Sequence, residues 1–251
     1  MIKFFRKIRQ KLLTENKPAL PAGRFSNYIL YAIGEIFLVV IGILIALQIN
    51  NWNTTKNESK ILNSYAQKIR LNLEQDLEQR KQLTSLRNEA IILCETAKNY
   101  YRNGSLLSKD TLSRAAGRVM YEEKFSANKS GFNSLVNSGY IEKLPNGKFS
   151  DEIYKYYELV ENLNFTESKY NQFCETMEYE IWTSGVLEFV YRIKTDSKVL
   201  QKKAMTDLSK FKAYKALIMR SPHDMRLILK QYKELDSLGN KLLLEIEKTS
   251  F

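Results

Sequence analysis

Tyr28–Ile49 reads YILYAIGEIFLVVIGILIALQI. A helix rises about 1.5 Å per residue, so this run reaches about 33 Å, enough to cross a hydrocarbon core of about 30 Å. Tyr28 and Tyr31 stand at one end and Trp52 at the other, where amphipathic rings settle into the headgroup layers. Seven Lys and Arg precede the run, and only Lys56 and Lys60 follow within ten residues. By the positive-inside rule that imbalance puts the N-terminus in the cytoplasm. The apolar stretch is too long for a cleaved signal, and AL-QIN beyond it offers no small-x-small cleavage site. The expected organisation is a basic cytoplasmic tail over 1–27, a transmembrane helix over 28–50 acting as an uncleaved signal anchor, and an outer helical domain over 51–251.

One charge interrupts the run. Glu35 lies about 10 Å along the helix axis, and at 100° per residue Glu35, Gly42 and Ala46 fall within about 20° of one line. Two small residues sharing a stripe with a carboxylate suit a face that packs on another helix, where backbones approach closely and the acid is shielded from lipid. The alternative is that Glu35 snorkels to the nearer, cytoplasmic headgroups. Ahead of the span, MIKFFRKIRQKLL sets Ile2, Phe5, Ile8 and Leu12 at helical spacing, with Lys3, Arg6, Lys7, Arg9 and Lys11 elsewhere around it. That pattern predicts an interfacial helix with its cations on anionic lipid. NKPALPAG then breaks it. The tail has no room for an enzymatic output domain.

The net charge of +11 on 251 residues resembles a nucleic-acid signal until it is partitioned. Residues 1–27 carry seven basic groups against Glu15, while the outer domain spreads 32 Lys and Arg among 26 Asp and Glu. The concentrated charge is thus in the tail, no basic–aromatic groove motif accompanies it, and nucleic acid is not an expected partner. Only 10 Gly and 4 Pro occur, too few for the turns of a strand-rich sandwich, so a mainly α fold is expected.

Within the outer domain, Leu62, Ala66, Ile69, Leu73, Leu77, Leu86, Ala90, Leu93, Ala97 and Tyr100 recur at helical intervals and predict a helix over about 56–103, a stalk barely separated from the span by NNWNTT. A short helix from Ser108 to about Tyr121 follows, then the irregular stretch EEKFSANKSG. One or two helical turns at Phe132–Ser138 are closed by Gly139 as a left-handed cap. YIEKLPNGKF suggests a small hairpin near 140–149. Three further long helices are expected over about 151–194, 197–219 and 222–248. Ser221 would cap the last of these, with Pro222 at its first position. Long helices joined by short loops indicate an antiparallel bundle.

Chemistry is sparse. His223 is the one histidine and sits in the expected cap. No nucleophile elbow, zinc-protease motif, phosphate-binding loop or paired-cysteine spacing occurs, so neither an enzyme nor a cofactor or metal site is expected. Cys94 and Cys174 could form one disulfide in an oxidising compartment or stay as two buried thiols. The aromatic run from Tyr154 to Tyr191 fits a helix core better than a ligand pocket.

FSNYILYAIGEIFLVVIGILIALQINNWN, with MIKFFRKIRQKLL before it, resembles the opening of a family of single-span envelope proteins of Bacteroidota catalogued as a domain of unknown function. GFNSLVNSGYIEKLPNGKFSDEIYKYYELVENL is similar to that family's second block. The two blocks cover about a quarter of the chain. The resemblance implies a bacterial inner-membrane protein with a periplasmic domain and supplies no activity. The leading expectation is a non-enzymatic scaffold or complex subunit that self-associates through its membrane helix and presents the bundle to envelope partners. The alternative is a periplasmic small-ligand sensor that signals through a partner protein.

Overall fold

In the computed structural model, residues 23–103, 109–144, 147–185 and 206–248 are described. The tail cations Lys3, Arg6, Lys7, Arg9 and Lys11, and the interfacial helix expected around them, lie outside these residues. The elements are α1 (Gly23–Asn103), α2 (Lys109–Met120), α3 (Ser130–Asn137), a 3₁₀ turn (Tyr140–Lys143), α4 (Gly147–Thr183) and α5 (Lys212–Lys248), with a further helical turn at 206–210. The protein is mainly helical, and no strand occurs among the described residues. Residues up to Ser59 and residues from Lys60 onward form two compact units.

In the first unit, α1 carries the apolar run with its described side chains exposed from Tyr31 through Asn57. NNWNTT does not interrupt the helix. The Thr54 and Thr55 hydroxyls donate to the carbonyls of Asn50 and Asn51, each at 3.0 Å, so these turn-prone side chains bond inside the helix instead of competing with it.

The second unit is built on three long helices whose buried residues recur at alternating intervals of three and four. On α1 the series is Leu62, Ala66, Ile69, Leu73, Asp76, Arg80, Leu83, Arg87, Ala90, Cys94 and Ala97. On α4 it runs Phe149, Ile153, Tyr156, Val160, Leu163, Glu167, Tyr170 and Cys174, and on α5 Tyr214, Ile218, Ser221, Met225, Ile228, Tyr232, Leu235, Gly239, Leu242 and Ile246. That is the heptad seam of left-handed helix packing. Side-chain pairs give the directions. Asp76–Tyr156 and Arg87–Glu167 are both separated by 80 residues, so α1 and α4 run parallel. Arg70–Glu247, Arg80–Asp236 and Arg226–Glu95 make α5 antiparallel to α1.

Two parallel helices need a crossover, and residues 109–144 supply it. This segment descends beside α1, through the pairs Arg114–Glu89, Asn128–Gln75 and Lys68–Ser134 to the Tyr65–Tyr140 ring contact. It is a fourth column, and it is not a continuous helix. Between α2 and α3 residues 122–129 are neither helix nor strand, and this strap is the most unusual element of the domain. Gly131 opens α3 where a Cβ would stand 2.9 Å from both the Ile69 amide nitrogen and Asn72 Oδ1. A larger residue there would push the crossover off α1.

Three expected features need correction. The hairpin near 140–149 is absent. Gly139 turns the chain at φ 72° into the 3₁₀ turn, and α4 is already under way from Gly147, because burying Ile141 and Phe149 against helices serves the core as an isolated two-stranded ribbon could not. The helix expected over 151–194 begins at Gly147 and ends at Thr183, with Gly185 in the left-handed region at φ 73°; residues 186–194 lie outside the described ones. The helices expected over 197–219 and 222–248 are not separate from Lys212 onward, since α5 passes through Pro222. Ser221 and Pro222 are both buried, and the core series continues unbroken from Ile218 to Met225. Packing on both sides outweighs the one hydrogen bond the proline cannot donate.

Candidate functional site

On α1, Glu35, Gly42 and Ala46 are all exposed, and nothing lies within 4 Å of where a Gly42 side chain would begin. The most apolar window of this helix has none of its residues buried. Ile36, Phe37, Val39, Ile43, Leu44 and Ile45 surround the stripe and are more than half exposed. Trp52 at the far end holds Lys56 Nζ 4.9 Å from its ring centre. This is an amphipathic ring with a cation beside it, as suits a boundary between apolar and polar surroundings.

The second concentration of unusual residues is buried. Arg80, Arg87 and Glu167 are 0 %, 2 % and 0 % exposed, and full burial of such charges demands partners. Arg80 donates from Nε to Asp236 Oδ1 at 2.7 Å and from Nη1 to the Tyr156 hydroxyl at 2.9 Å. The Tyr156 hydroxyl in turn donates to Asp76 Oδ2 at 3.0 Å, and the Arg80 guanidinium lies 4.8 Å from the Phe125 ring centre. Gly239 on α5 faces Arg80 and Tyr156, leaving them room. One layer along, Arg87 donates from Nη2 to Glu167 Oε1 at 2.7 Å and to the Glu123 carbonyl at 2.9 Å, and the Tyr232 hydroxyl also donates to Glu167 Oε1.

The strap explains why these groups are there. A segment without regular structure leaves its backbone groups unpaired, and buried ones must bond to something. Phe125 N donates to Glu167 Oε2 at 2.9 Å, Ser126 N to Gln79 Oε1 at 3.3 Å, Asn128 N to Asp76 Oδ1 at 2.9 Å, and Gly131 N to Asn72 Oδ1 at 2.8 Å. Side chains on α1 and α4 thus replace the ladder that a partner strand would provide. The cluster is a clasp holding the strap in the seam.

Its electrostatics follow. Burial pushes the Asp76 carboxyl above its usual range, against the downward pull of the Asn128 amide, the Tyr156 hydroxyl and Arg80. Burial opposes the charge on both arginines, but at Arg80 the Tyr156 and Asp236 partners outweigh it, and at Arg87 Tyr232 and Glu167 do.

The remaining sequence candidates are not at the clasp. His223 is an exposed residue within α5, away from any helix start. Cys94 and Cys174 are buried thiols. Burial pushes them up to about 12 and about 11 respectively. No group of three or more metal-ligating side chains occurs among the described residues. The aromatic run divides: Tyr156, Tyr157 and Tyr170 are core, whereas Phe165, Tyr179 and Trp182 are at least half exposed. The sequence hides the clasp because Leu77 and Leu86 also fit the helical spacing of the α1 stripe. The signal lay in the strict three–four spacing from Leu62 to Ala97, which lands on Asp76, Arg80 and Arg87.

Residues 35–178 match a family described as a family of unknown function (DUF6090). No curated protein and no solved structure matches the chain.

Proposed function

We infer the function from the premise that the chain belongs to the family of unknown function DUF6090. The matched region starts at Glu35, inside the apolar run, and ends in α4. The matched region therefore spans most of the apolar run, the clasp positions on α1, the strap and most of α4.

The proposed role is a non-enzymatic, single-pass scaffold or complex subunit of a bacterial inner membrane. The N-terminus would be cytoplasmic and the bundle periplasmic, available to envelope partners. The observation that carries this reading is the exposed apolar helix with its open Glu35–Gly42–Ala46 stripe. An apolar surface of this size in water would be a liability. In lipid it is a span, and its small residues give a second helix room for close packing. The clasp supports the same reading, because its polar groups face one another and the strap.

The test is native mass spectrometry of the full-length chain in mild detergent, beside a Gly42→Leu, Ala46→Leu variant. The wild type is expected as an oligomer or with a stoichiometric partner, and the variant as a monomer. A wild-type chain that is strictly monomeric and partner-free would overturn the reading. Protease accessibility in spheroplasts reads the orientation separately.

A further inference from the structure

Cys94 and Cys174 take no part in the clasp, yet both sit in the core at 0 % and 2 % exposure. Their placement follows a register. Asp76–Tyr156 and Arg87–Glu167 are direct contacts between α1 and α4, each 80 residues apart. Cys94 and Cys174 are the next member of that series, seven residues beyond Arg87 and Glu167. Seven residues is one heptad, so the two cysteines occupy the same layer of two neighbouring parallel helices, at positions that face each other across the seam. Tyr170 of α4 and Ser221 of α5 are buried as well.

We propose that Cys94 and Cys174 are the two halves of an intramolecular disulfide that staples α1 to α4. The oxidant is a disulfide, carried by a thiol–disulfide oxidoreductase or a small molecule. One cysteine loses its proton, and its thiolate attacks the oxidant, forming a mixed disulfide and releasing one oxidant thiol. The second cysteine, deprotonated in turn, attacks the protein sulfur of that mixed disulfide and expels the second oxidant thiol. Two S–H bonds are lost, one S–S bond forms, and the two electrons reside on the reduced oxidant.

Burial decides when this happens. In the closed core both thiols are inaccessible and poor nucleophiles, since burial holds them in the protonated form. Exchange therefore precedes the docking of α4 on α1, and the product is a structural bond rather than a reversible switch. The pairing rests on the register alone. The compartment that supplies the oxidant rests on the proposed periplasmic location, and the two are tested separately.

Membranes are dissolved in denaturant with N-ethylmaleimide, which caps free thiols, and digested with trypsin without reduction. The expected product joins Asn88–Lys98 to Tyr170–Arg192, two hydrogens lighter than the sum of the two peptides. Reduction should lower the melting temperature of the purified full-length protein, and Cys94→Ser and Cys174→Ser should each abolish that shift. A second arm unfolds the full-length protein and refolds it in oxidised and reduced glutathione. The linked peptide in this arm alone upholds the pairing and overturns the periplasmic location. Two maleimide-capped peptides in both arms overturn the pairing.

Discussion

Arg87 binds a carboxylate, a backbone carbonyl and a tyrosine hydroxyl while being 2 % exposed. Its removal and its joint removal with Glu167 should therefore differ. Arg87→Leu leaves the buried Glu167 carboxyl without its guanidinium partner, and thermal unfolding of the detergent-solubilised protein should report a loss of about 3–5 kcal/mol. Adding Glu167→Leu removes the orphaned carboxyl and should recover a substantial part of that loss, although the Phe125 amide then loses its acceptor. A double variant as damaged as the single one would mean that the pair is not coupled.

Asp76 and Glu95 make a contrast in sign. The Asp76 carboxyl is raised in the folded state, mainly by burial. Its contribution to stability is thus fully present below its unfolded pKa and is lost as pH rises through the folded value. At Glu95 burial acts upward but is outweighed by hydrogen bonds from Arg226 and Lys98, so the carboxyl is lowered. Its contribution is present above the unfolded pKa and is lost as pH falls through the folded one. Melting curves across the acidic range should then diverge. The gap between wild type and Asp76→Asn should move in favour of wild type as pH falls, and the gap to Glu95→Gln should move against it. Parallel curves for both variants would refute the assignment.

Among the elements, α5 tests the competition between local signal and packing. Ser221-Pro222 reads as a helix start, and every local rule supports that reading. The core series overrides it, because a break at 221 would turn Ile218 and Met225 away from a common seam. The proline then sits where an amide could have bonded to the Ile218 carbonyl. Pro222→Ala should raise stability by up to about 3 kcal/mol, less whatever ring packing is lost. A fall in melting temperature would show that the proline holds a true break. The same competition explains α1. Its helical nature and the two ends of its buried stripe, Leu62–Leu73 and Ala90–Ala97, are legible from spacing, but the middle is not: Leu77 and Leu86 lie off the buried stripe, and Asp76, Arg80 and Arg87 lie on it. Hydrophobicity ranks a leucine above an arginine for the core until a buried partner exists, and the partners are on α4, α5 and the strap.

At the scale of the whole molecule, the strap is where the three long helices and the crossover meet. Four of its amides or their neighbours are held by Asn72, Asp76, Gln79 and Glu167 rather than by other backbone. Asn72→Ala with Gln79→Ala removes two such bonds. At about 1 kcal/mol each, the opened strap should become roughly thirtyfold more populated. Limited trypsin digestion read by mass spectrometry should then show cleavage after Lys124 or Lys129 ahead of other sites. An unchanged cleavage order would mean that the helices do not hold the strap.

The sequence by itself determined what periodicity and local conformation control. These include the apolar helix at Tyr28–Ile49, the helical character of the rest, the irregular stretch after α2, and the left-handed turn at Gly139. Each is written into a few consecutive residues and needs no distant partner. Only the tertiary structure decided that α1 and α4 run parallel, that α5 passes through its proline, and that Arg80 and Arg87 belong inside. A buried charge is stable only when residues 36 to 156 positions away complete its hydrogen bonds, and no local pattern encodes that meeting.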